Sequence, residues 1–242
     1  MSTLTLFPKR IPEPKGLNDL EMEAFQRLAT MNSKRWFLPL VDDFLKRTKL
    51  KKALIVDVAC GPGFLSKELA SRNPYFSIIG IDISEVALKM ARVNTSGIKN
   101  VDLKKASVYK LPFKTTSVDA VICKDSLHHF NNPASAIREM FRIIKPGGYL
   151  YIQDIRRDLP GYLISRSIER KNSIEKLQFY STRAAYTKGE VRILLKRLGI
   201  KPLLLHTAKV TNRLARYYNS QGIDTKQLRE GFQARYNFIA RK

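Results

Sequence analysis

The chain has 242 residues and 44 Lys and Arg against 21 Asp and Glu, a formal net charge of +23. That length fills one α/β domain with a full core. The clean apolar runs are only a few residues long, which excludes a membrane-spanning helix, and MSTLTLFPKRIPEPKG lacks the apolar centre of a signal peptide, so a cytoplasmic protein is expected. The two cysteines, Cys60 and Cys123, form no CxxC or Cys/His spacing; reduced buried thiols and no metal are expected.

Residues 1–16 hold three prolines and read as irregular. Leu17–Met31 has the spacing of an amphipathic helix with Leu20, Phe25, Leu28 and Ala29 on its apolar side, and Trp36–Leu45 reads as a second helix with Pro39 in its first turn. ALIVDV (53–58) is a buried parallel strand carrying one acid, Asp57. A carboxylate inside such a run is costly unless it has a purpose. Gly61 and Gly63 then force a tight turn into the helix Phe64–Ser71. A turn with so few side chains lets a ligand lie against backbone N–H groups at a helix start.

FSIIGID is the second strand and ends on Asp82, some twenty residues beyond the glycines, where an acid can accept hydrogen bonds from both ribose hydroxyls of an adenosine. Ser84 caps a helix over Glu85–Asn94. Val101–Ser107 is a third strand and Ser117–Cys123 a fourth, followed by KDSLHHF (Lys124–Phe130). Pro133 opens the helix PASAIREMFRII, KPGG turns, and YLYIQD is the fifth strand. Ile155–Tyr186 interrupts the alternation, with helical stretches at Tyr162–Lys171 and Ile174–Tyr180. Thr187 and Glu190 form a capping box for VRILLKRL, Gly199 stops that helix, and KPLLLHT and RYNFIARK are strands six and seven. About two dozen basic residues, including Tyr217 and Tyr218, separate these two strands and are candidates to touch an anionic or aromatic substrate.

VDVACGPG followed by GIDIS, LPF with SVDAVI, LHH, and a helix leading into KPGG and a strand together resemble class I S-adenosylmethionine (SAM) dependent methyltransferases over roughly residues 50–155. RIPEP, DIRRD and FYSTRAAYTKGEV more loosely resemble a branch of the small-molecule type, within the wider group of ubiquinone/menaquinone C-methyltransferases (methyltransferase type 11). The resemblance implies a Rossmann-like, seven-stranded, mostly parallel α/β sheet with helices on both faces and an antiparallel last strand. It implies a single domain over 1–242: an N-terminal helical lid (1–50, with Phe25, Trp36 and Phe37 as lid or core residues), a cofactor-binding core (51–155), and substrate-side helices and last strands (156–242). The cofactor is expected to be SAM, held by Asp57, Ala59, Cys60, Gly61, Gly63, Asp82, Ile83, Ser107, Val108 and Lys124. The family usually has glycine where Ala59 stands and an acid where Ser107 stands.

A sulfonium methyl needs an aligned acceptor and, for an oxygen or carbon acid, a base. Asp125, His128 and His129 are the candidate bases, and a structural role for the histidine pair is the alternative. Arg156 and Arg157 after the fifth strand could clamp a carboxylate or phosphate, and Tyr180 and Tyr186 are lid candidates. His206, alone in an apolar strand, is expected to be a satisfied core residue. The basic excess is denser in the C-terminal part, with 20 basic and 7 acidic groups in residues 151–242 against 24 and 14 in residues 1–150. It suits an anionic small-molecule acceptor or, in a second reading, RNA, although the NPPY acceptor motif of many nucleic-acid amino-methyltransferases is absent and KDSL (Lys124–Leu127) stands in its place. A nicotinamide-dependent oxidoreductase lacks its third glycine here, and a non-catalytic member of the fold is the remaining alternative. The residues leave the oligomeric state open.

Overall fold

The structure, a computed structural model, describes residues 9–13, 19–159, 173–210, 212–220, 222 and 224–242. Seven strands form one sheet in the order β3-β2-β1-β4-β5-β7-β6. They are β1 (Ala53–Val58), β2 (Phe76–Asp82), β3 (Val101–Lys105), β4 (Val118–Lys124), β5 (Ile144–Ile155), β6 (Pro202–Thr207) and β7 (Arg235–Arg241). Strands β3, β2, β1, β4 and β5 run parallel; β7 runs antiparallel to both β5 and β6. The expected seven-stranded sheet with its antiparallel last strand is therefore present.

Strands β1 and β4 lie side by side in the middle and are buried on both faces, so they read as unbroken apolar runs rather than alternating ones. On one face Phe37, Leu40, Val41 and Phe44 of α1 (Asp19–Thr48) and Leu65 and Leu69 of α2 (Phe64–Arg72) cover Ile55, Ile78 and Ile122. On the other, Ala136, Ile137 and Met140 of α4 (Pro133–Ile143) cover Val56, Val121 and Ile152. Helix α3 (Glu85–Asn94) starts at Ser84, whose side chain accepts a hydrogen bond from the Ala87 N–H at 3.2 Å. Helix α5 (Ser173–Ala184) packs against α1 and against the 3-10 turn Leu127–His129. In α6 (Lys188–Arg197) both halves of the expected capping box are made.

Several expectations are corrected. The two N-terminal helices are one 30-residue helix with Pro39 in its interior; the buried face of Phe37, Leu40, Val41 and Phe44 compensates for the hydrogen bond the proline cannot make. Strand β3 stops at Lys105, two residues early. KPGG is not a free turn before β5 but an irregular beginning of it: Gly147 has φ +81°, and the Gly147 N–H and Gly148 carbonyl bond to Lys242. The insertion between β6 and β7 forms α7 (Asn212–Ser220) and α8 (Thr225–Gln233), which pack on each other. Tyr217 is exposed. The side chains of Tyr218, Leu20, Phe25, Leu28 and Ala29, and the stretch Tyr162–Lys171, lie outside the described residues. Among the described residues no helix is long and apolar enough to cross a membrane.

Candidate functional site

The carboxyl edge of the parallel strands gathers most of the residues singled out in the sequence, because every parallel strand ends there. After β1 the chain passes through Ala59, with φ +56°, and Gly61, with φ +53°. A side chain built on Gly61 would meet nothing within 4 Å, whereas one on Gly63 would strike the Ala91 Cβ at 2.9 Å. Gly63 is thus required by the contact between the turn and α3, while Gly61 leaves open backbone. The Gly61 N–H donates to Asp82 Oδ2 at 2.8 Å and the Ser84 N–H donates to Oδ1 at 2.9 Å, so Asp82 ties the glycine turn to the end of β2. Ile83, directly after it, is 68% exposed, an apolar side chain held outside the core at this edge. Ser107 accepts a hydrogen bond from the Tyr109 N–H within its own loop, and Val108 packs on the core.

Asp57 is buried under this turn, and the Ser66 hydroxyl donates to it at 2.7 Å. Burial, aided by the nearby Asp82 charge and opposed by Ser66 and Lys124, pushes its pKa up to about 7. The Cys60 thiol is buried beside it and is likewise pushed up, first by burial and then by the Asp57 and Asp82 charges. These residues fit an adenosine cofactor. The turn offers open backbone, an acid bonded to the turn closes β2, and an exposed apolar residue follows the acid.

At the end of β4, Lys124 lies over the Phe37 ring at 5.3 Å and pairs with Asp125. Burial lowers the Lys124 pKa, against the pull of Asp125. Asp125, at φ +48°, also receives Arg235 Nε at 2.8 Å and Nη2 at 2.9 Å. Burial would raise its carboxyl, but Arg235 and Lys124 hold it far below the carboxylate range. An acid so paired is a weak proton acceptor at neutral pH.

His128 differs. Its ring Nδ1 donates to Asp154 Oδ1 at 2.7 Å, its backbone N–H donates to Asp154 Oδ2 at 2.9 Å, and its Nε2 is buried with no hydrogen-bond partner. Burial alone would lower its pKa, but Asp154, Glu13 and Asp125 raise it above the usual histidine value. His129 lies tilted at 43° beside it with ring centroids 4.0 Å apart and donates from Nδ1 to Glu13 Oε2 at 2.6 Å. Burial works against the Glu13 carboxylate, yet His129, His128 and Ser181 bring its pKa below the ordinary value.

Arg156 and Arg157 are 3% and 1% exposed. Arg156 bonds both oxygens of Asp158 and the Thr207 hydroxyl, while Arg157 bonds the Ala185 carbonyl at 2.6 Å and Glu190 at 2.6 Å. The expected anion clamp is corrected to a pair of internal braces: after β5 the chain turns inward, and buried guanidiniums require such partners. Tyr180 is half-buried, edge-on to Phe179 and under Arg183 at 5.1 Å; Tyr186 lies under Arg10 at 4.5 Å. His206 is half-buried with its Nδ1 unpartnered, not a satisfied core residue.

The sequence reading missed Glu13 and Arg235 and gave Asp154 no role of its own. Glu13 stands 116 positions from His129, so no local spacing reveals it, although it belongs to the RIPEP motif. The three branch motifs meet in space. Arg10 donates to the Ala184 and His128 carbonyls, the Ile11 N–H to the Arg183 carbonyl, and Ser181 to Glu13.

A parallel sheet with a glycine turn after β1, an acid closing β2 and an acid–histidine pair at the ends of β4 and β5 defines a class I SAM-dependent methyltransferase domain. The chain belongs to the methyltransferase domain family, which matches residues 49–204. A ubiquinone biosynthesis O-methyltransferase of Nitrosomonas europaea is 35% identical over 116 residues, which are 47% of this chain and 48% of the relative. The chain thus spans about half the length of the curated relatives it first matches. A SAM-dependent methyltransferase of Aquifex aeolicus shares the fold with a TM-score of 0.63 at 21% identity, covering 93% of this chain and 98% of that one. The plantazolicin methyltransferase BpumL, solved with S-adenosylhomocysteine (SAH), does so at 0.68 and 17%, covering 92% and 90%.

Proposed function

We propose that the protein transfers the methyl group of SAM to a hydroxyl oxygen of a small molecule, with His128 as the general base. The observation that carries this reading is the buried, unpartnered Nε2 of His128 on a ring whose Nδ1 proton is held by Asp154. Asp154 fixes the tautomer that leaves a lone pair on Nε2 and stabilises the imidazolium that forms when the proton arrives, the role an orienting carboxylate plays beside a catalytic histidine. The names of the curated relatives, O-methyltransferases of ubiquinone biosynthesis, support an oxygen acceptor.

Bound SAM supplies a methyl carbon on a sulfonium, whose sulfur leaves as a neutral thioether. Asp82 would hold the ribose, with the open backbone at Gly61 and the exposed Ile83 side chain available to the cofactor and Ala59, Cys60, Gly63, Ser107, Val108 and Lys124 lining the same edge. Asp57, beneath the turn, supports it from inside. The acceptor hydroxyl donates to His128 Nε2, which takes its proton as the oxygen attacks. A histidine base suits a hydroxyl of phenolic acidity better than an aliphatic alcohol. Acceptor charge is not read by Arg156 or Arg157, which are engaged internally, so an uncharged phenolic hydroxyl is the acceptor class favoured.

The test is methyl transfer from labelled SAM to a panel of phenols, with calorimetric titration of SAM alongside. H128Q should lower kcat by about 100-fold or more, in the range of general-base loss, with SAM affinity within about threefold. A parallel loss of SAM binding in H128Q, or turnover unchanged by it, overturns the assignment of the base.

A further inference from the structure

Glu13, His128 and His129 offer donor atoms that all lie within 4.8 Å of one another. We infer that these three side chains form a binding site for one divalent first-row transition-metal ion of the zinc type, at the mouth of the acceptor side. Only its consequence for turnover rests on the function proposed above.

Four observations converge. First, the donor set is two imidazoles and one carboxylate, a combination that zinc takes with a fourth position open, whereas magnesium and calcium demand oxygen ligands. Second, each of two ligands is already oriented from behind. Asp154 holds the Nδ1 side of His128, leaving Nε2 as the ligating atom, and Ser181 donates to Glu13 Oε1 at 2.7 Å, leaving Oε2 toward His129. Metal-ligating histidines are commonly backed by a carboxylate in this way. Third, the His128 Nε2 is an orphaned polar atom on a side chain 3% exposed, a costly arrangement that a ligand would relieve. Fourth, the charges match. With neutral imidazoles the cluster holds two carboxylates, both buried, since the Glu13 side chain is 7% exposed and that of Asp154 is 0% exposed. The Arg10 guanidinium is engaged by the Ala184 and His128 carbonyls rather than by either acid. A dication offsets that pair.

The movement required is small. Tetrahedral ligands at about 2.0–2.1 Å from zinc stand about 3.3 Å apart. The ion would replace the proton between His129 and Glu13, which opens from 2.6 Å by less than an ångström, while His128 Nε2 closes in. The loop carrying Glu13 is joined to the rest of the site through Arg10 and Ile11, so binding would also fasten this segment over the histidine pair.

The metal-free full chain should be titrated with zinc by calorimetry and with cobalt(II) by visible absorption. One equivalent should bind, with the d–d bands of a four-coordinate cobalt centre. E13Q and H129A should each weaken binding by at least about tenfold, in line with loss of a metal-site group, while H206A, which removes the third histidine, should leave it unchanged. No saturable binding, or binding insensitive to both E13Q and H129A, overturns the site. Turnover reads separately on the base. An ion on Nε2 excludes proton transfer to that atom, so zinc should inhibit methyl transfer in the wild type and lose that effect in H129A. Stoichiometric binding that accelerates transfer would keep the metal site and overturn His128 as the base.

Discussion

Ala59 adopts φ +56°, in the left-handed region where a Cβ crowds the following carbonyl at about 1 kcal/mol or more. Its methyl also packs at the margin of the core, which offsets part of that strain. A59G should therefore gain a net ~0.5 kcal/mol, a rise of a degree or two in Tm for a chain of this size. A lowered Tm would show that the methyl contact outweighs the backbone. Asp57 carries the clearest pH dependence in the fold. Its folded-state pKa is about 7 against an ordinary 3.8. Between those values the folded chain holds a proton that the unfolded chain has lost, so stability declines as pH rises from about 4 and the decline ends above about 7. The full loss is on the order of 4 kcal/mol. D57N keeps an acceptor for Ser66 and removes the titration. Its Tm relative to wild type should rise by about 5–10 °C between pH 5 and pH 8, and parallel melting curves at the two pH values would refute this origin.

At the scale of elements, Asp82 joins β2 to the turn after β1 by accepting from Gly61 and Ser84. D82A leaves both N–H groups without their acceptor, at about 1–3 kcal/mol for each group that stays buried and unpaired. It also removes the proposed ribose contact. The variant should melt lower and bind SAM at least about 100-fold more weakly by calorimetry, two charge-assisted hydrogen bonds being worth that much. Wild-type affinity in a folded D82A would detach Asp82 from the cofactor. A similar logic governs the end of β4, where the Lys124–Asp125–Arg235 group ties the end of β4 to β7. Helices α7 and α8 leave from β6 and return to β7 at this same sheet edge.

Across the whole molecule, three separated segments (residues 9–13, 154–158 and 179–191) close around the histidine pair through internal ion pairs and carbonyl contacts. Arg156 and Arg157 are turned inward, and the immediate surroundings of His128 carry carboxylates.

The individual strands, the glycine turn, Asp82 at the end of β2 and both helix caps at Ser84 and Thr187 were legible in the sequence, because each depends on local periodicity, φ requirements or side-chain-to-backbone bonds within a few residues, while the antiparallel pairing of the last strand was implied only by the family resemblance. The single N-terminal helix was not, since its continuity through Pro39 rests on a buried face that only packing supplies. Nor could spacing show that Asp125 is ion-paired while His128 is bonded to Asp154, or that Arg156 and Arg157 have internal partners. Their partners include Asp154, Arg235 and Glu190, brought from distant parts of the chain. The sequence by itself determined the frame and the edge of the sheet where chemistry occurs. Which side chains there remain free to act was decided by tertiary structure, because electrostatics and desolvation act through space and not along the chain.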